Sequence, residues 1–178
     1  MKLGRALLAV GVIATLGLIA TAVLGYMLPG PADPAVPRHV LAALVASLLL
    51  LFSHCWILLY LIATGRAIRE AVREYGVEAS LEAEAWRLRR GVLPWLLLAA
   101  ATALGTFLLG AAAMAGAASA DAHHILFYVT LVVQALALWI ESRGLAANER
   151  LLGDIDQRLG MAPTPPAPPV SAGARGAA

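Results

Sequence analysis

The second of four apolar runs, VLAALVASLLLLFSHCWILLYLIA at Val40–Ala63, decides the fold of this chain. It contains no Asp, Glu, Lys or Arg, and about 20 residues of helix are enough to cross the roughly 30 Å hydrocarbon core of a bilayer. Three further runs of similar length lie at Ala6–Leu28, Val92–Ala117 and Ile125–Ala147. We therefore predict four membrane-spanning helices.

The composition agrees with this prediction and excludes an ordinary soluble domain. Hydrophobic residues make up 61% of the 178 residues and charged residues only 13%, about half of the charged fraction usual in soluble domains. Short connections between successive runs predict an all-α, antiparallel four-helix bundle over residues 1–159. Residues 160–178, rich in Pro, Ala and Gly, are predicted to be a disordered tail. The sole cysteine, Cys55, lies within the second run, where we expect a small buried side chain.

The basic residues predict the orientation of the helices. Twelve of the 13 Lys and Arg residues fall on one side of the runs, at the two ends of the chain and in the long connection 65–91, and Arg38 is the exception. Because basic residues favour the cytoplasmic side, we predict a multi-pass protein of the bacterial inner membrane with both termini cytoplasmic. The arginines are mixed with almost as many acids, so we expect lipid and no nucleic acid as a partner. The first run is longer than the 7–15 residues typical of a signal peptide, and we expect an uncleaved helix.

The connection 65–91 is predicted to be helical rather than plain linker. The second run continues as an amphipathic helix to Gly76, a suitable C′ residue, and Ser80 is placed to cap the next helix. Pro94 is expected to bend the third helix without ending it. These charged helical extensions are either solvated or form a docking surface for a cytoplasmic partner.

Small residues predict how the helices pack. They recur at steps of four in two runs, as Gly17, Thr21 and Gly25 in the first and as Thr102, Thr106 and Gly110 in the third. Membrane helices associate through close contacts of such residues, because lipid tails are as apolar as the side chains they would otherwise meet.

His54 is the leading candidate for a functional residue. It lies roughly 15 Å from the cytoplasmic end of its helix, a depth at which ionisable residues usually face the bundle interior. We expect a neutral imidazole that hydrogen-bonds to a neighbouring helix, with Thr102 at a matching depth, although a cofactor ligand, a proton relay or a quinone contact are alternatives. Gln134 shares one face of the fourth run with Thr130 and Glu141 and should point inward.

The remaining histidines are predicted to lie together at the outer ends of the second and fourth helices. His39 facing His123 or His124 would suit one b-type haem or a divalent metal between helices; the alternative is that these histidines are interfacial polar residues beside Asp121 and water. Two bis-histidine haems are excluded, because the fourth run presents Trp139 at the depth of His54.

The segment FSHCWILLYLIATGRAI at Phe52–Ile68 resembles a recurring element of small bacterial four-helix membrane proteins. These proteins have a membrane histidine, an aromatic-rich stretch and then Thr-Gly-Lys/Arg at the cytoplasmic exit. The matching positions are His54, Tyr60, Thr64, Gly65 and Arg66. The resemblance implies a four-span protein and carries no activity with it.

Two hypotheses for function follow from the sequence. No catalytic motif is present, so the first is a structural or accessory protein that binds a membrane-protein partner or its own copies. The second is a redox or cofactor-binding module that holds a haem, a metal or a quinone through His54 or through His39 with His123 or His124. A transporter is the least supported class, since few polar groups lie within the runs.

Overall fold

The computed structural model describes residues 2–28, 30 and 33–161. Within these residues, α-helices joined by short connections are the only regular secondary structure. The four helices are α1 (Lys2–Tyr26), α2 (Val36–Tyr75), α3 (Ser80–Met114) and α4 (Ala120–Met161). Each is long enough and apolar enough to cross a membrane, so the prediction of four long apolar helices is confirmed. Residues 160 and 161 end α4, and the rest of the predicted disordered tail lies outside the described residues.

The connection between α2 and α3 is short because both helices extend into it. α2 ends at Tyr75, and Gly76 has a φ of 65°, the left-handed conformation that glycine adopts easily after a helix. The prediction that Ser80 caps α3 is wrong. Ala79 holds the N-cap position without a side-chain hydrogen bond, while the Ser80 hydroxyl bonds to the Glu78 carboxylate. α3 passes through Pro94 without ending there, as expected.

The helices pack most closely in the pairs α1–α2 and α3–α4. α2 also packs on α3 and α4, and α1 packs on α4, whereas no Cα atoms of α1 and α3 come within 8 Å of each other in the described part of the chain. The small residues lie in these contacts as predicted: a Cβ added at Gly17 would lie 3.4 Å from Ala46, and the Thr106 and Thr130 hydroxyls are 2.7 Å apart. Close backbone approach therefore holds each pair together.

The two ends of the four-helix structure differ in the side chains that join the helices. At one end, which we call the cavity end, the last residues of α1 meet α4, and the hydroxyls of Tyr26 and Tyr128 are 2.8 Å apart. At the other, the terminal end, Arg158 near the close of α4 donates to Glu78 between α2 and α3 at 3.0 Å. Arg69 donates to Glu82 at 2.7 Å in the same region. A tyrosine pair thus joins α1 to α4 at one end, and ion pairs join the helices at the other.

The interior alternates between apolar layers and a line of polar side chains on α4. We call this line, Thr130, Gln134, Glu141 and Asn148, the polar row; all four side chains are at most 2% exposed. The periphery is apolar, with large exposed side chains such as Leu48, Trp56, Leu97 and Val132. Cys55 is exposed as well, so the expectation that it is buried is wrong. His54 takes the inward position, and the next residue of a helix points about 100° away.

Candidate functional site

His54 sits at the centre of a buried hydrogen-bond cluster built by three helices. It projects from α2, is 2% exposed, and bonds to two side chains of α4. Its Nδ1 lies 2.6 Å from Oε1 of Glu141, and its Nε2 lies 3.0 Å from Oε1 of Gln134. The Gln134 amide in turn donates to the Ala99 carbonyl of α3 at 2.9 Å. The ionisable pair of His54 and Glu141 is therefore buried between the helices.

Donor and acceptor roles in this cluster follow from the Ala99 carbonyl. A carbonyl only accepts, so the Gln134 atom facing it is the NH₂ group, and the amide oxygen faces His54. The Nε2 atom of His54 must then donate to that oxygen. Between Nδ1 of His54 and Glu141 Oε1 lies one further proton, which either the carboxyl or the imidazole carries. The Oε2 atom of Glu141 is buried and has no partner among the described residues.

The predicted partner of His54 is wrong. The Thr102 hydroxyl donates to the Ala99 carbonyl of its own helix at 3.2 Å, and the Thr102 carbonyl accepts from Thr130 at 3.1 Å. A depth count across the bundle placed Trp139 opposite His54, but Trp139 is 56% exposed and faces outward. Trp139 lies between Gln134 and Glu141 along α4 but on the outer side of that helix, because two residues correspond to a rotation of about 200°.

Glu141 is the functional residue that the sequence reasoning missed as a partner. It lies inside the fourth predicted span, seven residues after Gln134 and on the same helix face. That spacing, with His54 at a similar depth, was the signal available in the sequence. The inward prediction for Gln134 is confirmed, since its side chain is 0% exposed.

A second candidate site is a cavity of about 500 Å³ at the cavity end. All three remaining histidines line it, namely His39 from α2 with His123 and His124 from α4. His124 stacks on Tyr26 with ring centroids 4.9 Å apart. The structure thus brings His39, His123 and His124 to one place, as predicted, and keeps His54 apart from them. The volume falls within the range typical of small-ligand sites.

His39 and His123 are held in matching ways by the two helix pairs. The Nδ1 atom of His39 lies 2.9 Å from the Thr21 carbonyl of α1, and that of His123 lies 3.1 Å from the Thr106 carbonyl of α3. Four residues after each threonine stands a glycine. A Cβ added at Gly25 would lie 2.8 Å from Cε1 of His39, and one at Gly110 would lie 2.7 Å from Cε1 of His123. Each imidazole therefore lies directly against the backbone of a neighbouring helix.

These contacts fix the tautomer of both rings. Since a carbonyl only accepts, Nδ1 carries the hydrogen in each ring, and the Nε2 atom of a neutral ring has a free lone pair. A histidine whose Nδ1 donates to a backbone carbonyl has the usual arrangement of a metal ligand that binds through Nε2. No group of three or more His, Cys, Asp or Glu in the described ranges is arranged to hold a metal ion, so the protein itself offers at most these two nitrogens in this pattern.

His54 is unsuited to bind iron or a metal in this arrangement. Both of its ring nitrogens are engaged, with Glu141 and with Gln134, and the ring is closed from the surface. Ligation at His54 would require one of these bonds to break. The two sites therefore have separate chemistries: lone pairs at the cavity and a shared proton in the core.

Comparisons of the chain with protein-family models, curated proteins and solved structures found no match.

Proposed function

We propose that the four helices cross the bacterial inner membrane as an antiparallel bundle, with both termini and the α2–α3 connection in the cytoplasm. Two observations support this placement. The Lys and Arg residues gather almost entirely at the terminal end, and the periphery between the two ends carries large exposed apolar side chains. The cavity end then faces the outside of the cell.

Within this bundle, the protein acts as a membrane module that binds a small cofactor or amphiphilic ligand in the cavity. The pair His39 and His123 carries this proposal. Two imidazoles from two helix pairs, each oriented by a carbonyl and packed on a glycine, line one mainly apolar cavity. Their Nε2 lone pairs suit a metal centre or the hydroxyl groups of a reduced quinone.

A b-type haem meets these requirements best. Its macrocycle is apolar, and imidazole nitrogens are among the usual ligands of its iron. When bound, it would supply one-electron redox chemistry. His39 and His123 would hold it, and the glycines Gly25 and Gly110 leave the rings room to lie against the helices.

Purification from membranes in a mild detergent tests the proposal. The absorption spectrum, the metal content and mass spectrometry of extracted small molecules should reveal one ligand in stoichiometric amount. His39→Ala and His123→Ala should each remove it. His124→Phe is the matched control, because phenylalanine keeps a ring beside Tyr26 and removes a histidine from the same cavity. A wild-type protein without a Soret band, a metal or any stoichiometric small molecule would contradict this function.

An accessory role, in which the chain binds a membrane-protein partner or its own copies, is the second candidate. The observation favouring it is the exposed start of α3, where the Arg90 guanidinium lies 4.5 Å from the centre of the Trp86 ring. Arginine and tryptophan are enriched in protein interfaces. Native mass spectrometry of gently extracted protein tests it, and a lone monomer with no co-purifying protein would count against it.

A further inference from the structure

The core cluster lies about one turn of α4 from polar side chains that line the cavity. Thr106 and Thr130 line the cavity, and their hydroxyls are 2.7 Å apart. Gln134 follows Thr130 by one turn of α4 and bonds to His54. The sequence of polar groups from the cavity inward is therefore two hydroxyls, an amide, the imidazole and the Glu141 carboxyl. About one helical turn separates the cavity lining from the cluster.

The opposite side of the cluster is closed by an apolar layer. This layer, which we call the leucine layer, consists of Leu7, Ile57, Leu61, Val92, Leu96 and Leu145. Its members follow His54 by one and two turns on α2 and Glu141 by one turn on α4. Beyond it, the Thr64 hydroxyl donates to Asn148 at 3.0 Å. The leucine layer thus separates the cluster from the polar groups of the terminal end.

We propose that His54 and Glu141 together form a buried site for one exchangeable proton, and that this proton exchanges with the cavity and not with the terminal end. The hydrogen-bond roles carry the first half of the proposal. Nε2 of His54 already donates to Gln134, so the bond between Nδ1 and Glu141 requires one proton and has room for only one. The second half is supported by the leucine layer, which closes the side towards the terminal end, and by the two threonine hydroxyls, which lie on the cavity side.

Glu141 holds this proton in the resting state. Its Oε2 atom is buried without a partner among the described residues, and an unpaired carboxylate oxygen costs far more in an apolar interior than the carbonyl oxygen of a carboxylic acid. Transfer of the proton from Oε1 to Nδ1 breaks one O–H bond and forms one N–H bond. The neutral pair becomes an ion pair, and the net charge of the pair stays at zero.

The surroundings offer no competing titratable group. Apart from His54 and Glu141, the buried polar side chains in the described part of the chain are hydroxyls and amides. α3 presents the Ala99 carbonyl to the cluster, and next to His54 on α2 the Ser53 hydroxyl donates to the Leu7 carbonyl of α1 at 2.9 Å. The proton site is therefore confined to one residue of α2 and one of α4.

Infrared spectroscopy of the full chain in lipid nanodiscs tests the site. The wild-type spectrum should contain the C=O band of a buried carboxylic acid, which shifts in D₂O and is missing in Glu141→Gln. The rate of that shift reports access. Thr130→Val removes a hydroxyl on the cavity side at nearly constant volume, and Thr64→Val makes the same change beyond the leucine layer. We expect severalfold slower exchange in T130V and an unchanged rate in T64V.

Contrary results would overturn the proposal in separable ways. If E141Q loses no carboxylic acid band, Glu141 does not hold the proton. If T64V slows exchange and T130V does not, the proton comes from the terminal end. Thermal unfolding checks that the variants fold. If T130V does not fold, Thr106→Val, which removes the other hydroxyl of the same pair, replaces it. None of these readouts depends on a ligand in the cavity, so the proposed function and this site can fail independently.

Discussion

Replacing Glu141 by glutamine, which exchanges one carboxyl oxygen for an NH₂ group, distinguishes the two proton arrangements of the His54–Glu141 pair. A glutamine amide at position 141 can donate to Nδ1 of His54 much as a carboxylic acid does, but it cannot replace the charge of a carboxylate. The stability of such a variant therefore reports which arrangement the folded protein contains.

We predict that Glu141→Gln unfolds within about 1 kcal/mol of the wild type, since the hydrogen bond to His54 persists. Glu141→Ala leaves Nδ1 of His54 without a partner and should lower the free energy of unfolding by about 1–3 kcal/mol, with a further loss from the cavity it creates. Thermal unfolding in detergent measures both, and Glu84→Gln on the exposed part of α3 is the control. An E141Q variant as unstable as E141A would indicate an ion pair instead.

The glycines beside the cavity histidines leave no room for a side chain. A Cβ at Gly110 would lie 2.7 Å from Cε1 of His123, whose ring is also held by the Thr106 carbonyl. Gly110→Ala should therefore displace the ring and destabilise the protein by about 1–3 kcal/mol. Gly91→Ala, in the same helix with nothing within 4 Å, should instead be neutral or stabilising by up to about 1 kcal/mol. Unfolding temperatures that move together in both variants would contradict the close contact at His123.

At the scale of the elements, an ion pair joins the end of α4 to the α2–α3 connection. The Ser80 hydroxyl donates to Glu78 and the Arg158 guanidinium lies beside it, and both hold the pKa of the Glu78 carboxyl below its ordinary value of 4.5. A lowered pKa means that the charged form stabilises the fold above pH 4.5, and that this contribution disappears as the pH falls through the lower folded value. Because the pair is exposed, the effect is small.

We predict that Glu78→Gln unfolds at a lower temperature than the wild type at pH 7, and that the difference closes as the pH falls below about 4.5. Glu74→Gln removes a charge of the same sign from the exposed end of α2 and should show no such convergence. The measurement is a series of thermal melts between neutral and acidic pH. A difference that persists unchanged in acid would show that the Glu78 charge does not link α4 to the connection.

The sequence predicts the helices far better than their contacts. Apolar runs and Gly76 locate the four helices and the end of α2, because both depend only on local composition and backbone conformation. The partner of His54 depends on the rotation of α4 about its axis and on the direction in which its side chains lean. A shift of two residues, which rotates the helix face by about 200°, separates Glu141 on the inner side of α4 from Trp139 on its outer side. The cavity histidines were foreseen together, since each lies at a helix end, whereas their carbonyl and glycine contacts depend on packing.

At the scale of the whole molecule, the orientation in the membrane can be tested with cysteines. The native Cys55 is exposed on α2, so the test begins from Cys55→Ser. Pro34→Cys and Asp121→Cys, both exposed near the cavity end, should react with a membrane-impermeant maleimide in intact cells. Glu74→Cys and Asp154→Cys should react only after the inner membrane is permeabilised. The reverse pattern of labelling would place both termini outside the cytoplasm.

The polar row affects how α4 would enter the membrane during biosynthesis. α4 is the least apolar of the four helices, and a buried acid at the centre of a helix opposes its insertion by an amount that Leu and Ile only partly offset. The ribosome completes α2 and α3 before it reaches α4. If the helices enter the membrane in that order, His54 and the Ala99 carbonyl precede Glu141 and Gln134, and we predict that the earlier helices act as an intramolecular template for the integration of the last one.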